Sequence, residues 1–223
     1  MKPLVIFDID GTITATIEAD DYGFIKTFND LYRIDLGGAD WGEFKDITDL
    51  GITRQVFKTH FSRFPKRDEI DQIKKHFLGL LEKQFQLDPS KFSEVVGAGA
   101  FFNQLQEKEY RVAIATGGWQ ETAEFKLERV GLDVSSIPFA NSNHHHSRAD
   151  ITKLAIEFAR DFYAAEFERI IYFGDGRWDL MTCREMGIDF IGVDFYRTGV
   201  LRELGATQVI GDFTEIEKLF AML

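Results

Sequence analysis

Short apolar runs alternate with amphipathic stretches along most of the chain. Residues 4–9 are apolar except at Asp8 and are rich in β-branched side chains, a pattern typical of a strand buried on both faces of a parallel sheet. The other predicted strands are residues 112–115, 170–173, 190–193 and 208–210, with a weaker candidate at 134–139. Helical patterns fall between them, at residues 100–108, 121–130, 151–162, 180–186 and 215–223. This alternation predicts an α/β fold with a three-layer, doubly wound parallel sheet of the Rossmann-like type.

Residues 16–96 interrupt this alternation. They carry helical patterns at 22–31, 55–61 and 68–85, and no segment among them reads as a buried strand. In the third pattern, Ile70, Ile73 and Phe77 recur at the spacing of one helix face. Glycines at 97 and 99 mark the return to the sheet. We therefore predict a sheet unit of residues 1–15 and 97–223, interrupted by an all-helical insert of residues 16–96.

Charge and composition exclude several classes of partner. The 223 residues include 37 acidic and 26 basic side chains, giving a formal net charge of −11. Such a surface repels nucleic acid backbones and anionic membranes, so we expect neither as a partner. The single cysteine, Cys183, cannot form an internal disulfide, and the N-terminus does not resemble a signal peptide. Since no apolar run approaches the roughly 20 residues of a membrane span, a cytoplasmic protein is expected.

Two polar segments directly follow predicted strands. Asp8 and Asp10 end the first strand and, because side chains alternate along a strand, are expected to point the same way. Thr116 and Gly117 follow the strand 112–115, where a hydroxyl and consecutive backbone N–H groups suit phosphate oxygens. Ligands of open α/β sheets bind at the carboxyl ends of strands. Each segment taken alone is also consistent with an ordinary turn.

A second pair of carboxylates, Asp175 and Asp179, follows the strand 170–173. Carboxylate oxygens are hard ligands that favour Mg²⁺ over softer metals. The glycines of this loop make it tight enough to bring Asp175 toward Asp8. The alternative interpretation is a helix N-cap supplied by Asp175 or Asp179.

Two basic residues, Arg148 and Lys153, are candidates for binding an anion at the same edge. Ile151, Ala155 and Phe158 belong to the apolar stripe of the helix predicted at 151–162. Lys153 projects opposite that stripe, toward water, whereas Arg148 lies near the edge of the stripe at the start of the helix. We therefore choose Arg148, with Lys153 as the alternative.

In this order, these residues resemble the motifs of the haloacid dehalogenase superfamily. The family pattern is D-x-D-G-T, a Thr or Ser after the second strand, a Lys or Arg, and an acidic G-D-x-x-x-D. Its counterparts here are Asp8 and Asp10, Thr116, Arg148 (alternatively Lys153), and Asp175 with Asp179. The insert resembles the helical cap domain of such enzymes, which closes over the site and excludes water. Arginine replaces the usual lysine of the third motif, so phosphate binding is kept while local geometry differs.

The resemblance implies a Mg²⁺-dependent phosphatase acting on a small-molecule phosphomonoester through an aspartyl-phosphate. Asp8 would be the nucleophile and Asp10 the general acid and base. The transferring phosphoryl group would be bound by Thr116, Gly117 and Arg148. The resemblance assigns Mg²⁺ to Asp8, the backbone carbonyl of Asp10 and Asp175, with Asp179 in or near the coordination shell. Relatives that cleave carbon–halogen or phosphonate bonds lack an aspartate at the position of Asp10, so its presence favours phosphate esters.

Other functions are compatible with parts of this pattern. A phosphosugar mutase of the same superfamily resembles it throughout, cap included. A signalling receiver or an inactive binding module is the third alternative, but receivers are about half this length and have no cap. His144, His145 and His146 lie in a polar loop and are interpreted as solvated, or else as part of the rim of the site. The sequence does not specify the substrate or the oligomeric state.

Overall fold

The computed structural model describes residues 2–223, and within them six strands form one parallel sheet. The strands are β1 (Leu4–Phe7), β2 (Arg111–Ala115), β3 (Phe139–Ala140), β4 (Ile170–Gly174), β5 (Asp189–Val193) and β6 (Val209–Ile210). Their order across the sheet is β3-β2-β1-β4-β5-β6, and every neighbouring pair is parallel. The chain therefore builds the sheet outward from β1 in both directions, which is the doubly wound topology. The predicted fold class is confirmed.

Helices cover both faces of this sheet. In chain order they are α1 (Ile17–Tyr32), α2 (Asp49–Phe61), α3 (Arg67–Leu87), α4 (Ala98–Glu107), α5 (Gln120–Arg129), α6 (Arg148–Tyr163), α7 (Arg177–Met186), α8 (Val200–Glu203) and α9 (Ile216–Met222). Alternate side chains of β1 point to opposite faces of the sheet and pack against different helices. Val5 and Phe7 pack with α4, α5 and α9, whereas Leu4 and Ile6 pack with α6 and α7. Burial on both faces explains why this strand is continuously apolar.

The insert between β1 and β2 has its own apolar core. Helices α1, α2 and α3 contribute Phe24, Phe57 and Phe77 among its buried residues, and Trp119, at the start of α5, joins the same cluster. The rings of Phe77 and Trp119 lie 6.3 Å apart in an edge-to-face arrangement. The insert is thus packed against the turn that follows β2, next to the carboxyl end of the sheet.

The structure differs from the sequence prediction most clearly at residues 134–139. A strand was expected there, but only Phe139 and Ala140 form β3. Asp133 accepts a hydrogen bond from the backbone N–H of Ser135 at 2.9 Å, which favours a turn, and Pro138 has no N–H to donate to a ladder. Helix α2 also begins at Asp49 rather than near residue 55, because the Thr48 side chain caps it.

The described part of the chain, residues 2–223, contains no helix long and apolar enough to cross a lipid bilayer.

Candidate active site

The carboxyl ends of three neighbouring strands bring the predicted site residues together. β1 lies between β2 and β4, and Phe7 is in register with both Ile114 and Phe173. Asp8 therefore follows β1 at the level where Thr116 follows β2 and Asp175 follows β4. All of the predicted site residues except Asp179 line one cavity that opens to solvent.

Three carboxylates form a tight group at the base of this cavity, in which Asp8 and Asp179 are buried and Asp175 is partly buried. One oxygen each of Asp8, Asp175 and Asp179 lies within 4.8 Å of the others. Burial raises the pKa of Asp8, raises that of Asp175 well above its ordinary value, and raises that of Asp179 to about 7. Three carboxylates this close together repel one another when ionised. Because carboxylate oxygens are hard donors, a divalent cation fits the group and would offset that repulsion.

Gly11 makes the approach of Asp175 possible. It adopts a left-handed backbone conformation with φ of 75°, and a Cβ atom built there would lie 2.2 Å from Oδ2 of Asp175. Only glycine satisfies both requirements, the backbone conformation and the space. Gly11 therefore has two roles: it allows the chain to turn after Asp10, and it leaves space for the Asp175 carboxylate.

Asp10 lies in the same cavity but belongs to a different group. Its Oδ1 accepts a hydrogen bond of 2.6 Å from the Thr16 hydroxyl, and its Oδ2 lies 2.5 Å from Nζ of Lys126. The Asp10 carboxylate is therefore held apart from the cluster of Asp8, Asp175 and Asp179.

Arg148 is buried at the first position of α6 and faces the carboxylates. Its Nη1 donates to Oδ1 of Asp8 at 3.0 Å, and its Nε lies 3.5 Å from Oδ1 of Asp179. The second contact is an ion pair without a hydrogen bond. The Nε–H group of Arg148 has no hydrogen-bond acceptor among residues 2–223. Burial alone lowers the pKa of Arg148, but the charges of Asp179 and Asp8 outweigh it and raise the pKa. Lys153 instead lies at the surface, where it pairs with Asp150 at 3.2 Å.

The turn after β2 places backbone groups beside this arginine. Thr116 is buried, and its hydroxyl accepts a hydrogen bond of 3.2 Å from the N–H of Gly118. A Cβ atom at Gly117 would lie 3.0 Å from Nη2 of Arg148, so the absent side chain leaves room for the guanidinium. Thr116, Gly117 and Arg148 thus surround one space above Asp8.

Asp179 is held in place from behind. The Tyr172 hydroxyl lies 3.2 Å from its Oδ1, and the N–H of Gly176 donates to its Oδ2 at 3.1 Å. The second bond is that of an acidic residue in the first turn of a helix. The N-cap of α7 is Gly176, so neither Asp175 nor Asp179 is the N-cap considered as an alternative, and Asp179 is a first-turn residue that also belongs to the carboxylate cluster.

The sequence analysis did not identify Lys126 and Asp20 as part of the site. Lys126 is fully buried on α5 and contacts the carboxylates of both Asp10 and Asp20. Burial lowers its pKa, but these two negative charges outweigh that effect, and the pKa is raised. A signal was present in the chain, because Lys126 falls on the same helix face as Ala123 and Leu127, where an isolated lysine needs a buried acidic partner.

The start of α2 contacts the same turn from the insert. The backbone N–H of Asp49 donates to the carbonyl of Gly117 at 2.8 Å, and the Asp49 carboxylate accepts from the N–H of Trp119 at 2.8 Å. Thr48 donates to the carbonyl of His146 at 2.6 Å. The loop of His144, His145 and His146 therefore contacts the start of α2 through its backbone. The His145 ring lies beside Asp150. Within the described residues, 2–223, no histidine lines the cavity.

Comparisons with known proteins agree with this geometry. The chain belongs to the haloacid dehalogenase-like hydrolase family, whose sequence model matches residues 5–193. It is a hydrolase of that family, as the resemblance of the motifs implied. A phosphoglycolate phosphatase from Mesorhizobium japonicum is 24% identical over 217 residues, covering 95% of this chain and 92% of that protein.

Solved structures share the fold along the whole chain. A hydrolase from Pseudomonas syringae superposes with a TM-score of 0.75 at 20% identity, covering 100% of this chain and 99% of that one. CbbY from Rhodobacter sphaeroides, in complex with phosphate, gives 0.72 at 19% identity, covering 97% and 96%. At these identities the likeness establishes the common fold.

The buried lysine provides a first prediction. Lys126→Met leaves the carboxylates of Asp10 and Asp20 facing each other without their cation, and we expect a loss of about 3–5 kcal/mol in the free energy of unfolding. Urea denaturation at pH 8 measures it. Lys153→Met removes the same charge from an exposed position and should cost less than about 0.5 kcal/mol. Equal effects of the two substitutions would contradict the structural role of Lys126.

The raised carboxyl pKa values provide a second prediction, for protein kept free of divalent metal. Asp49 and Asp179 titrate near pH 7 in the folded state because they are buried, but near pH 4 once unfolded. Between these values only the unfolded state loses its protons. Stability therefore falls as pH rises from about 4 to about 7, by up to about 1.4 kcal/mol per pH unit per group. Above that range these groups contribute no further change.

Chemical denaturation at pH 5, 6, 7 and 8 in the presence of a chelator tests this dependence. Asp49→Asn keeps an oxygen to accept the Trp119 N–H and should flatten the slope. A wild-type protein that gained stability between pH 5 and 7 under these conditions would be incompatible with buried, uncompensated carboxyl groups.

Proposed function

We propose that this protein is a Mg²⁺-dependent phosphatase that hydrolyses a small-molecule phosphomonoester through an aspartyl-phosphate on Asp8. The observation that carries the proposal is the position of Asp8, which is buried, has a carboxylate oxygen within 4.8 Å of those of Asp175 and Asp179, and accepts a 3.0 Å hydrogen bond from Arg148. A carboxylate so placed can attack an electrophile in the cavity while its neighbours bind the charge of the attacked group.

The chain's own residues would divide the reaction as follows. Asp8 attacks phosphorus, and the bond from phosphorus to the ester oxygen breaks. Asp10, held by Thr16 and Lys126, supplies the proton to the departing alkoxide and later removes one from the water that releases phosphate. Arg148 and the N–H groups of the turn after β2 bind the equatorial phosphoryl oxygens.

The proposed ligands of Mg²⁺ are the carboxylates of Asp8 and Asp175, the backbone carbonyl of Asp10 and, directly or from the adjacent position, Asp179. When bound, the ion would neutralise negative charge on the phosphoryl group and on the cluster. The three clustered carboxylates are what supports this assignment.

The insert of residues 16–96 is proposed to act as the cap. Its residues Phe24, Trp41 and Thr48 line the same cavity as Asp8, so they shield the aspartyl-phosphate from bulk water. A phosphosugar mutase would use the same arrangement but return the phosphoryl group to a second hydroxyl. Phosphorus NMR of a sugar phosphate incubated with the enzyme distinguishes free phosphate from an isomerised ester.

The nucleophile assignment predicts the outcome of Asp8→Asn. The amide cannot attack phosphorus, so phosphate release from p-nitrophenyl phosphate with Mg²⁺ should fall by at least about 10³-fold. The circular dichroism spectrum should be unchanged, because the substitution removes a charge whose burial is unfavourable. Asp161→Asn changes an exposed aspartate of α6 and should retain activity. Full activity of the Asp8 variant would refute the proposed nucleophile.

The metal assignment predicts a change in thermal stability that is independent of turnover. At 100 times its Kd, Mg²⁺ should stabilise the wild type by about 2.7 kcal/mol, which corresponds to about 5–10 °C in Tm for a chain of this size. Asp175→Asn should abolish this shift while leaving the metal-free protein at least as stable. Asp150→Asn, at a partly exposed position outside the cavity lining, should keep the shift. A Mg²⁺ shift that persists without the Asp175 carboxylate would argue against this ligand.

A further inference from the structure

The side of the cavity opposite the sheet has a distinct chemical character. We call it the leaving-group pocket and define it by Asp20, Asp21, Phe24, Trp41, Asp49 and Trp178, all of which line the cavity. In the proposed reaction this region surrounds the part of the ester that departs. Its side chains therefore decide which alcohol the enzyme accepts.

The charge of the cavity is one-sided. Among the described residues, 2–223, six carboxylates line it, three of them in the leaving-group pocket, and Arg148 is the one basic side chain in the lining. Arg148 already contacts Asp8 and Asp179. Lys126 is fully buried between Asp10 and Asp20 and offsets part of their charge. Asp21 and Asp49 are the carboxylates of the leaving-group pocket that form no ion pair within residues 2–223.

Another cation beside the cavity, Arg177, does not change this balance. Arg177 begins α7 beside the cavity, but its guanidinium pairs with Asp40 at 3.2 Å and lies outside the lining. A carboxylate or second phosphate on the leaving group would thus meet acidic side chains without a compensating base. Desolvating an anion in such surroundings is strongly unfavourable.

The aromatic side chains supply an independent observation. The rings of Phe24 and Trp41 lie 6.0 Å apart at 81°, forming a corner in the wall of the cavity. Burial raises the pKa of the neighbouring Asp21, and the nearby Trp41 side chain opposes this effect. Aromatic faces grouped around a carboxylate are the arrangement that binds ammonium and quaternary ammonium groups.

Trp178 also lines this wall of the cavity. Its indole N–H lies against Gly176, where a Cβ atom would come within 2.3 Å of Nε1, and is inaccessible from the cavity. Trp178 therefore adds apolar ring surface to the leaving-group pocket.

We propose that the substrate is the phosphate ester of an amino alcohol, whose leaving group carries an ammonium or quaternary ammonium group. The cation lies between Asp21 and the rings of Phe24 and Trp41, and the phosphoryl group lies at Asp8. This inference rests on the proposed phosphatase activity. It separates the chain from a phosphoglycolate phosphatase, since phosphoglycolate bears a carboxylate at the position where this pocket places acidic side chains.

Three esters of similar length test the proposal with the wild-type protein. Phosphoethanolamine, n-propyl phosphate and phosphoglycolate end in an ammonium, a methyl and a carboxylate group, respectively. We expect kcat/KM for phosphoethanolamine to exceed that for propyl phosphate by roughly tenfold or more, and phosphoglycolate to be the poorest of the three. Equal values for the first two, or a preference for phosphoglycolate, would overturn the inference while leaving the phosphatase assignment intact.

The failure of the phosphatase proposal itself would look different. In that case none of the three esters, nor p-nitrophenyl phosphate, would release phosphate in the presence of Mg²⁺.

A matched pair of variants locates the selectivity. Asp21→Asn removes the carboxylate from the leaving-group pocket and should lower the ratio of kcat/KM between phosphoethanolamine and propyl phosphate at least threefold, chiefly through KM for the cationic ester. Glu18→Gln removes an acid from the exposed side of the same helix, away from the cavity, and should leave the ratio unchanged. An unchanged ratio in the Asp21 variant, with Tm as in the wild type, would contradict the assigned position of the cation.

Discussion

Repulsion among buried carboxylates at one edge of the sheet is the constraint on which the site depends. Asp8, Asp175 and Asp179 bring oxygens within 4.8 Å of one another, and the burial of Asp8 and Asp179 limits how far solvent can screen this repulsion. The sheet enforces this arrangement, because β1 and β4 are adjacent and parallel and end at the same level. Arg148 supplies one compensating charge, and the remaining negative charge makes the cluster suited to a divalent cation. The same crowding of carboxylates therefore destabilises the folded protein and creates the site suited to a cation.

A second buried cation separates the two aspartates of the first motif. Lys126 holds the Asp10 carboxylate against Asp20, while Arg148 holds that of Asp8. Two residues apart in the chain, these carboxylates therefore have different partners. This difference gives the proposed nucleophile and the proposed acid and base distinct environments. Lys126 also joins the sheet unit to the insert, since Asp20 belongs to α1.

The sheet and the insert contribute different chemistry to one cavity. The strand ends provide groups that suit a phosphoryl oxyanion and a cation, whereas α1 and the segment around Trp41 provide aromatic and acidic side chains. Two hydrogen bonds between Asp49 and the turn after β2 connect the insert to the sheet unit beside this cavity. A family that keeps the strand ends and varies the insert can therefore change its substrate without changing its reaction.

The sequence alone determined the centre of the sheet, because β1, β2 and β4 are apolar on both faces and the helices between them have a clear period, whereas the edge strand β3 was predicted over the wrong residues. It also identified Asp8, Thr116, Asp175 and Asp179, which follow predicted strands, and Arg148, which lies at the start of a predicted helix, as chemically significant. Lys126 and Asp20 became apparent only in the tertiary structure, because 106 positions separate them in the chain and their pairing depends on how α1 packs against α5. The same holds for the leaving-group pocket. Its aromatic and acidic side chains come from α1, a short turn, α2 and α7, and no local pattern records that these elements face one another across a single cavity.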